Sequence, residues 1–295
     1  MKQKPAIVGI GICVVDIYRH HKKMYPGGNE YNVAYNAKLL GAHSAFMGVF
    51  ADDKAGKILE ETCRKKGIDV SFCHHEHGSS GYAIVDLVEG DRVFIDWNKQ
   101  GVTDLYPFEF SDEEIAYIKT FDIASTSRNS RITYEKFEKL AQAGVVLSYD
   151  FNDNFTGEDI ERISPCVKVG FFSCSHISAE EAEETLKKCV RAGCRLAVAT
   201  RGGEAAIAYD GKKYYYQSIM KVEATDTMGA GDSFISAFLT NYLSAETDES
   251  VTAGDKITIS LKAASEYAAY VVVKDGSLGL GYDVDPSRLS EIINL

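Results

Sequence analysis

Short apolar runs alternate along this chain with amphipathic segments, and the alternation predicts the fold. Residues 6–11 read as a buried strand, whereas residues 55–66 place apolar positions at helical spacing and end at Gly67. The other predicted strands are 44–49, 123–125, 145–150, 169–173 and 196–200, and the other predicted helices are 29–40, 134–143, 179–192, 233–243 and 257–273. Such an order indicates an α/β fold, a three-layer α/β/α sandwich around a mostly parallel sheet.

Two stretches break the alternation and predict β-hairpins. Residues 82–87 and 92–97 are strand-like runs joined by a turn signal at 88–91, and a second hairpin is expected around Asp210 and Gly211. The first hairpin is a candidate lid or dimer contact, and the alternative is an edge pair of the main sheet. Without a linker or a repeat, we expect one domain over residues 1–295, with lid strands near 13–26 and 79–101.

Composition and charge limit the kinds of molecule that this protein is expected to bind. The chain has 295 residues, 45% of them hydrophobic, and a formal net charge of −11. An acidic chain is a poor partner for nucleic acid or an anionic membrane. No apolar run has the length of a membrane span, the N-terminus does not read as a signal peptide, and the seven cysteines contain no Cys-x-x-Cys pair. We therefore expect a cytoplasmic protein with reduced thiols.

Residues 226–234, with the sequence DTMGAGDSF, carry the most specific chemistry. Gly229, Ala230 and Gly231 leave the backbone uncovered where a helix begins, and the first N–H groups of a helix attract anions. Asp232 follows at once, although a carboxylate repels a bound anion. A carboxylate in that place suggests a base, and an anion cradle with a base is what phosphoryl transfer to a hydroxyl requires.

Two further groups of polar residues are candidates for binding. Asp16 follows the first strand between apolar neighbours, and Gly28, Asn29 and Asn32 open the first helix. Together they suggest a site for a polyol, because carboxylate and amide groups bind hydroxyls; the alternative for the glycine and asparagine residues is a turn with a helix cap.

A glycine turn at residues 200–203 includes Thr200 and Gly202, which are candidates to contact nucleotide phosphates. The common nucleotide motifs fail elsewhere in the chain. Gly9-x-Gly11 lacks the third glycine of the dinucleotide fingerprint, and Ile58 replaces the Ser or Thr of a P-loop.

Together these motifs resemble the ribokinase-like family of sugar kinases, often called the PfkB family, over essentially the whole chain. The resemblance rests on DTMGAGDSF at 226–234 and on Gly-Gly-Asn at 27–29 with Asn-Val-Ala at 32–34. It implies an ATP-dependent carbohydrate kinase in which Asp232 is the catalytic base and Gly229, Ala230 and Gly231 form the anion hole.

The resemblance also implies binding roles. Asp16, Gly28, Asn29 and Asn32 would contact the sugar. Thr200, Gly202 and Thr227 would lie by the nucleotide. Magnesium is expected with ATP, and Asp226 is a candidate ligand for a monovalent cation such as potassium.

The chain departs from the family pattern in two places. Ala205 stands where the family's phosphate turn usually ends in glycine. The family's Asn-x-x-Glu segment, which is linked to magnesium, is not evident; Ser173 is a candidate for the Asn position, and either Glu180 or Glu181 for the acid.

The runs at 13–18 and 92–96 are most similar to the family members that act on fructoselysine, and Asp96 in the second run is a candidate contact for a substrate with a positive amine. We therefore expect 6-phosphorylation of fructoselysine or a related fructosamine. The alternatives are a plain ketose such as fructose, a keto-deoxy sugar acid or a nucleoside, or a non-catalytic sensor. Trp97 would pack on an apolar part of the substrate or in the lid core, and a homodimer through the lid is a further expectation.

Overall fold

The fold consists of alternating strands and helices, seen in a computed structural model that describes residues 4–88, 91–98 and 100–294. Residues 89 and 90 of the predicted hairpin turn lie outside the described residues. The strands are β1 (Ala6–Ile10), β2 (Val14–Tyr18), β3 (Lys23–Gly27), β4 (His43–Met47), β5 (Val49–Ala51), β6 (His74–Glu76), β7 (Gly81–Val88), β8 (Asp91–Trp97), β9 (Ile123–Ser127), β10 (Leu147–Asp150), β11 (Val169–Ser173), β12 (Leu196–Arg201), β13 (Glu204–Tyr209), β14 (Tyr214–Gln217) and β15 (Tyr282–Asp283).

The helices follow most strands of the main sheet. They are α1 (Asn29–Leu39), α2 (Lys54–Lys66), α3 (Val102–Leu105), α4 (Asp112–Ile118), α5 (Tyr134–Gln142), α6 (Gly157–Ile163), α7 (Ala179–Arg191), α8 (Ala230–Glu246) and α9 (Ala253–Val271), with 3₁₀ turns at Arg128–Ser130, Ser164–Cys166 and Pro286–Glu291. Two boundaries differ from the prediction by a helical turn. α9 begins early because the Thr252 side chain caps it, and α8 begins at Ala230.

Among the described residues, eight strands form the main sheet in the order β14-β13-β12-β11-β10-β9-β1-β4. The strands from β12 to β4 are parallel, and β13 and β14 are antiparallel at one edge. The predicted α/β fold with a mostly parallel sheet is confirmed. In such sheets ligands bind beyond the carboxyl ends of the strands.

Helices cover both faces of this sheet, because buried strands alternate their side chains between two apolar layers. Along β12, Ala197 and Ala199 face one core, which also contains Phe137 of α5 and Leu186 of α7. Leu196 and Val198 face the other core, which contains residues of α1, α8 and α9 such as Val33, Phe238 and Leu261. The result is the predicted three-layer sandwich.

A second sheet lies beside the first and is larger than the predicted hairpin. Its order is β15-β3-β2-β7-β8, so that a strand from near the C-terminus completes it. The alternative of an edge pair in the main sheet is wrong, because β7 and β8 pair with β2 and with each other. We call these five strands the lid sheet; its role as a lid, its use in a dimer and the division of the chain as one domain stay predictions.

Among the described residues, no helix is both long enough and apolar enough to cross a bilayer.

Candidate active site

The start of α8 depends on the backbone at Gly229. This residue has a φ of 72°, and a Cβ there would lie 2.5 Å from the Cβ of Ser277. Glycine has no Cβ, so it adopts this positive φ and tolerates this close approach without strain. The turn brings Asp232 into the first turn of α8, where it is buried. The Ala230 N–H donates to the Thr227 carbonyl at 3.2 Å, so this N–H is already bonded, and an anion would rely on the neighbouring N–H groups and the helix dipole.

Two asparagines of α1 hold the Asp232 carboxylate. Asn29 Nδ2 donates to Oδ1 at 3.0 Å, and Asn32 Nδ2 donates to Oδ2 at 2.7 Å. Burial raises the pKa of Asp232 to about 6, and the hydrogen bonds from Asn32 and then Asn29 oppose that rise. A carboxylate with such a pKa is ionised at neutral pH yet basic enough to accept a proton, as a general base must be.

Two residues that the sequence analysis missed orient these asparagines. Asn129, in the 3₁₀ turn after β9, donates from Nδ2 to Asn29 Oδ1 at 2.9 Å. Ser277 Oγ donates to Asn32 Oδ1 at 3.0 Å. With each amide oxygen accepting a hydrogen bond, each Nδ2 group faces Asp232. Asn129 carried a weak signal, since it follows a polar run at the carboxyl end of a strand, whereas Ser277 carried none.

Three further buried carboxyl groups lie within the electrostatic influence of Asp232. Burial raises the pKa of Asp16 to about 7, with Asp226 and Asp232 adding to the rise. Burial likewise raises the pKa of Asp150 to about 7 and that of Glu30 to about 8, and Asp232 adds to both. The charged residues that influence the pKa values of these three groups are all acids. Sequence reasoning identified Asp16 and missed Glu30 and Asp150.

The pairing register of the lid sheet decides which lid side chains share a face with Asp16. Asp16 of β2 stands opposite Ala83 of β7, which stands opposite Trp97 of β8. Residues directly opposite in neighbouring strands point to the same face, so Trp97 shares the face of Asp16. Asp96 stands one residue earlier and therefore points to the other face. This register contradicts the expectation that Asp96 and Asp16 bind the same sugar.

Asp226 ties the lid sheet to the α8 turn. Its Oδ2 accepts hydrogen bonds from the Tyr18 hydroxyl at 2.6 Å and from the Gly276 N–H at 2.8 Å, and its Oδ1 accepts from the Met228 N–H at 2.7 Å. These contacts are all to hydrogen-bond donors, which gives Asp226 a structural task. Its role as a ligand of a monovalent cation stays a prediction.

A cavity of about 550 Å³ lies beside the first turn of α8. The residues proposed for the nucleotide all line it, namely Thr200, Gly202 and Thr227 together with Gly231. The rest of its lining is mainly apolar and includes Ala206, Ile219, Met220, Val222, Ala224, Phe234, Ala268, Ala269 and Val272. A cavity with mostly apolar walls and a few polar groups at one end suits a nucleotide, whose flat base fits the walls and whose phosphates fit the polar end.

The acid proposed for the magnesium shell has another task in the structure. Glu181 Oε2 accepts from the Ser178 N–H at 2.9 Å, and the Glu181 N–H donates to Ser178 Oγ at 3.2 Å, which closes a capping box at the start of α7. Glu181 is also exposed. Within the described residues, no group of three or more His, Cys, Asp and Glu side chains is placed to hold a metal ion. These contacts give Glu181 a structural task at the helix start, and the role of Glu180 or Glu181 in a magnesium shell stays a prediction.

The comparison with protein families agrees with this geometry. The model of the pfkB family carbohydrate kinases matches residues 7–279. The chain belongs to this family. This carbohydrate kinase is 35% identical over 288 residues to the fructosamine kinase FrlD of Bacillus subtilis, covering 97% of this chain and 96% of the relative. It is 32% identical to the fructoselysine 6-kinase of Escherichia coli, over 79% of this chain and 87% of the relative.

Solved structures show the same fold for the carbohydrate kinase. A ribokinase of Arabidopsis thaliana complexed with ribose and ATP superposes with a TM-score of 0.76 at 20% identity, covering 94% of this chain and 95% of that one. A fructokinase of Xylella fastidiosa with bound ATP has a TM-score of 0.75 at 19% identity, covering 94% of each chain. The predicted ribokinase-like fold and the predicted family are confirmed.

Proposed function

We propose that this carbohydrate kinase transfers the γ-phosphoryl group of ATP to a primary hydroxyl of a fructosamine, and that fructoselysine, phosphorylated at its 6-hydroxyl, is the preferred substrate. The observation that carries the proposal is the Asp232 carboxylate, which Asn29 and Asn32 hold at 3.0 and 2.7 Å beside a cavity lined by Gly231. A base and a helix N-terminus are thus brought to the same point, as phosphoryl transfer to an alcohol requires.

Asp232 removes the proton of the attacking hydroxyl. The sugar oxygen forms a bond to the γ-phosphorus, the bond from that phosphorus to the bridging oxygen breaks, and ADP leaves with the electron pair. The proton of the hydroxyl ends on Asp232. The positive end of the α8 dipole stabilises the charge on the transferring group.

The charge around the sugar side favours a cationic substrate. Asp16, Glu30 and Asp150 are buried near Asp232, and the charged neighbours that influence them are acids. A fructosamine carries a protonated amine, which lowers the cost of ionising such groups, whereas a sugar acid adds a further negative charge. The two relatives described above, a fructosamine kinase and a fructoselysine 6-kinase, support the same class.

Trp97 extends the substrate proposal to the lid. It lies on the Asp16 face of the lid sheet, and 54% of its surface is exposed. We place it against the aliphatic part of the amino acid that a fructosamine carries. Asp96 is left out of the proposed site because it points to the opposite face.

Magnesium and potassium are part of the proposal because the family resemblance implies them. Magnesium usually binds phosphate oxygens and water with only one or two carboxylates, so the phosphates of ATP would hold most of its shell. When bound, it would neutralise charge on the transferring phosphoryl group. Asp226 remains the candidate for potassium, although its contacts here are to hydrogen-bond donors.

A measurement of ADP release with three sugars tests the proposal. The sugars are fructoselysine, fructose and 5-dehydro-2-deoxygluconate; the last is included because a 5-dehydro-2-deoxygluconokinase of Bacillus subtilis is 26% identical to this chain. We expect the highest kcat/KM with fructoselysine, and mass spectrometry with NMR should place the phosphate at its 6-position. A higher kcat/KM with fructose or the sugar acid would contradict the substrate assignment. Absence of ADP release with all three would favour a sensor.

A further inference from the structure

We propose that Glu30 is a positioning residue that fixes strand β2 of the lid sheet relative to helix α1. Asp16 lies on β2, whereas α1 carries Asn29 and Asn32, which hold Asp232. Glu30 acts on these groups through the connection between β1 and β2. This proposal rests on the proposed function, because it takes Asp16 and Asp232 to belong to one site.

The Glu30 side chain bonds to that connection from inside the fold. Glu30 is the second residue of α1, and only 1% of it is exposed. Its Oε2 accepts a hydrogen bond from the Ile12 N–H at 2.9 Å. Ile12 lies in the connection 11–13, where the chain leaves the main sheet after Ile10 and enters the lid sheet at Val14. The bond therefore fastens the crossing point between the two sheets to α1.

Glycines allow the connection and the end of β1 to approach α1 this closely. A Cβ on Gly9 would clash with the Glu30 carbonyl oxygen, and a Cβ on Gly11 would clash with Glu30 Oε2. From the other side, a Cβ on Gly28 would lie 2.6 Å from the Ile12 carbonyl oxygen. Only glycine permits such contacts. The Gly9-x-Gly11 pattern, which fails as a dinucleotide fingerprint, thus makes room for Glu30.

The connection lies next to the groups proposed for the sugar. Gly28, which packs against it, directly precedes Asn29, the donor to Asp232 Oδ1 at 3.0 Å. Asp16 follows the connection on β2, and a Cβ on Gly27 would lie 2.7 Å from Asp16 Oδ2. A displacement of the connection therefore moves Asp16 relative to Asn29, and the sugar site depends on both.

A neutral side chain with the same acceptor can replace Glu30. Burial raises the pKa of Glu30 to about 8, and Asp232 adds to the rise, so the group is mostly protonated at pH 7. A protonated carboxyl still accepts from the Ile12 N–H, and the amide oxygen of glutamine has the same reach. Leucine has a similar size but no acceptor, so it would leave the Ile12 N–H without this partner.

The test compares Glu30→Leu with Glu30→Gln at pH 7. In Glu30→Leu we expect kcat/KM for fructoselysine to fall by roughly 10-fold, the scale of one lost hydrogen bond, while the Kd for ATP from calorimetry changes by less than about 2-fold. Glu30→Gln keeps the acceptor and should bring kcat/KM back to within about 3-fold of the wild type. A residue that only stabilises the fold would not separate the sugar from ATP in this way.

Glu114→Leu is the matched control. Glu114 is likewise a buried acid in the first turn of a helix, and its Oε2 accepts from the Ser111 N–H at 2.7 Å. Its Oε1 bonds to His74 Nε2, also at 2.7 Å. Both contacts are with residues outside the proposed site. The control should therefore lower the Tm and leave kcat/KM for the sugar and the Kd for ATP unchanged.

Hydrogen exchange at the Ile12 amide, measured by NMR, reports the hydrogen bond without any turnover. The exchange should become faster in Glu30→Leu and stay slow in Glu30→Gln. Glu30→Ala, which also lacks the acceptor, serves if the leucine variant does not fold.

Several results would overturn the proposal. They are unchanged exchange or unchanged kcat/KM in Glu30→Leu, equal losses for the sugar and ATP, and a kcat/KM as low in Glu30→Gln as in Glu30→Leu. If the wild-type protein releases no ADP with any of the sugars, the proposed function fails instead, and the exchange measurement still decides whether Glu30 holds the connection.

Discussion

The clearest consequence of the site geometry is that the pKa of Asp232 depends on Asn32. The change to test is Asn32→Ala, which removes the 2.7 Å hydrogen bond to Oδ2 and leaves Asn29 in place. That hydrogen bond stabilises the ionised carboxylate, so its loss favours the protonated form. We therefore expect the pKa of Asp232 to rise, so that the proposed base is lost at a higher pH than in the wild type.

The size of the shift follows from the strength of the bond. A hydrogen bond to a charged group contributes about 1.5–3 kcal/mol, and about 1.4 kcal/mol corresponds to one pKa unit. The pKa of Asp232 is about 6 in the intact site. We expect the acid limb of kcat/KM to move up by roughly one to two pH units in Asn32→Ala, so that the loss of rate is several-fold larger at pH 7 than at pH 9.

The assay is a series of kcat/KM measurements of ADP release between pH 5 and pH 9.5, because this profile reports the free enzyme. Asn36→Ala is the control. Asn36 lies one turn further along α1 and is equally buried, but its side chain bonds to the Asn32 carbonyl and the Tyr267 hydroxyl instead of Asp232. An acid limb that stays in place in Asn32→Ala would refute the assignment of this limb to Asp232, even if the overall rate falls.

Three other changes test separate parts of the site. Asp232→Asn should lower kcat by about two to four powers of ten, the usual contribution of a general base, with little change in the Kd for ATP measured by calorimetry. Asp16→Ala should raise the KM for the sugar far more than the KM for ATP in steady-state kinetics. Glu30→Gln should alter the pH dependence of stability: the pKa of the folded Glu30 is raised from 4.5 to about 8, so the folded state loses stability as the pH rises between these values. The wild-type Tm should therefore fall between pH 6 and pH 8.5, and by less in the variant.

Each of these expectations has an outcome that counts against it. Near-normal turnover of Asp232→Asn would remove the carboxylate from the mechanism. Equal effects of Asp16→Ala on both KM values would argue against a sugar contact. For Glu30→Gln, a fall in Tm as steep as that of the wild type would mean that other groups carry the pH dependence.

Local patterns predicted the parts of the molecule that depend on neighbouring residues. The alternation of apolar runs and amphipathic segments placed the strands of the main sheet and the helices α1, α2, α5, α7, α8 and α9, but it missed α3, α4 and α6. The sequence around Gly229 and Asp232 indicated a helix start. Positive φ, helix caps and apolar periodicity act over a few residues, so they are visible in the chain itself. The strand β15 was not visible, since two residues near the C-terminus carry no pattern of their own.

The lid sheet shows where local patterns end. Sequence reasoning placed Asp96 in the substrate site, whereas the register between β7 and β8 turns Asp96 away and brings Trp97 to the Asp16 face. Neighbouring residues of a strand point to opposite faces, so a shift of one residue reverses the assignment. The pairing of β7 with β2, which lies far away in the chain, determines which residue of β8 shares the face of Asp16.

The amino-acid sequence alone was enough to predict the α/β alternation, the glycine turn before α8 and a carboxylate beside that turn. The contacts of that carboxylate depend on the folded chain, because Asn29 and Asn32 lie about 200 residues before Asp232. Folding also buries Glu30 and Asp150 within the electrostatic influence of Asp232, and it closes the helix cap at Glu181. Burial and neighbouring charge set the pKa of an acid, and both arise when distant segments pack together.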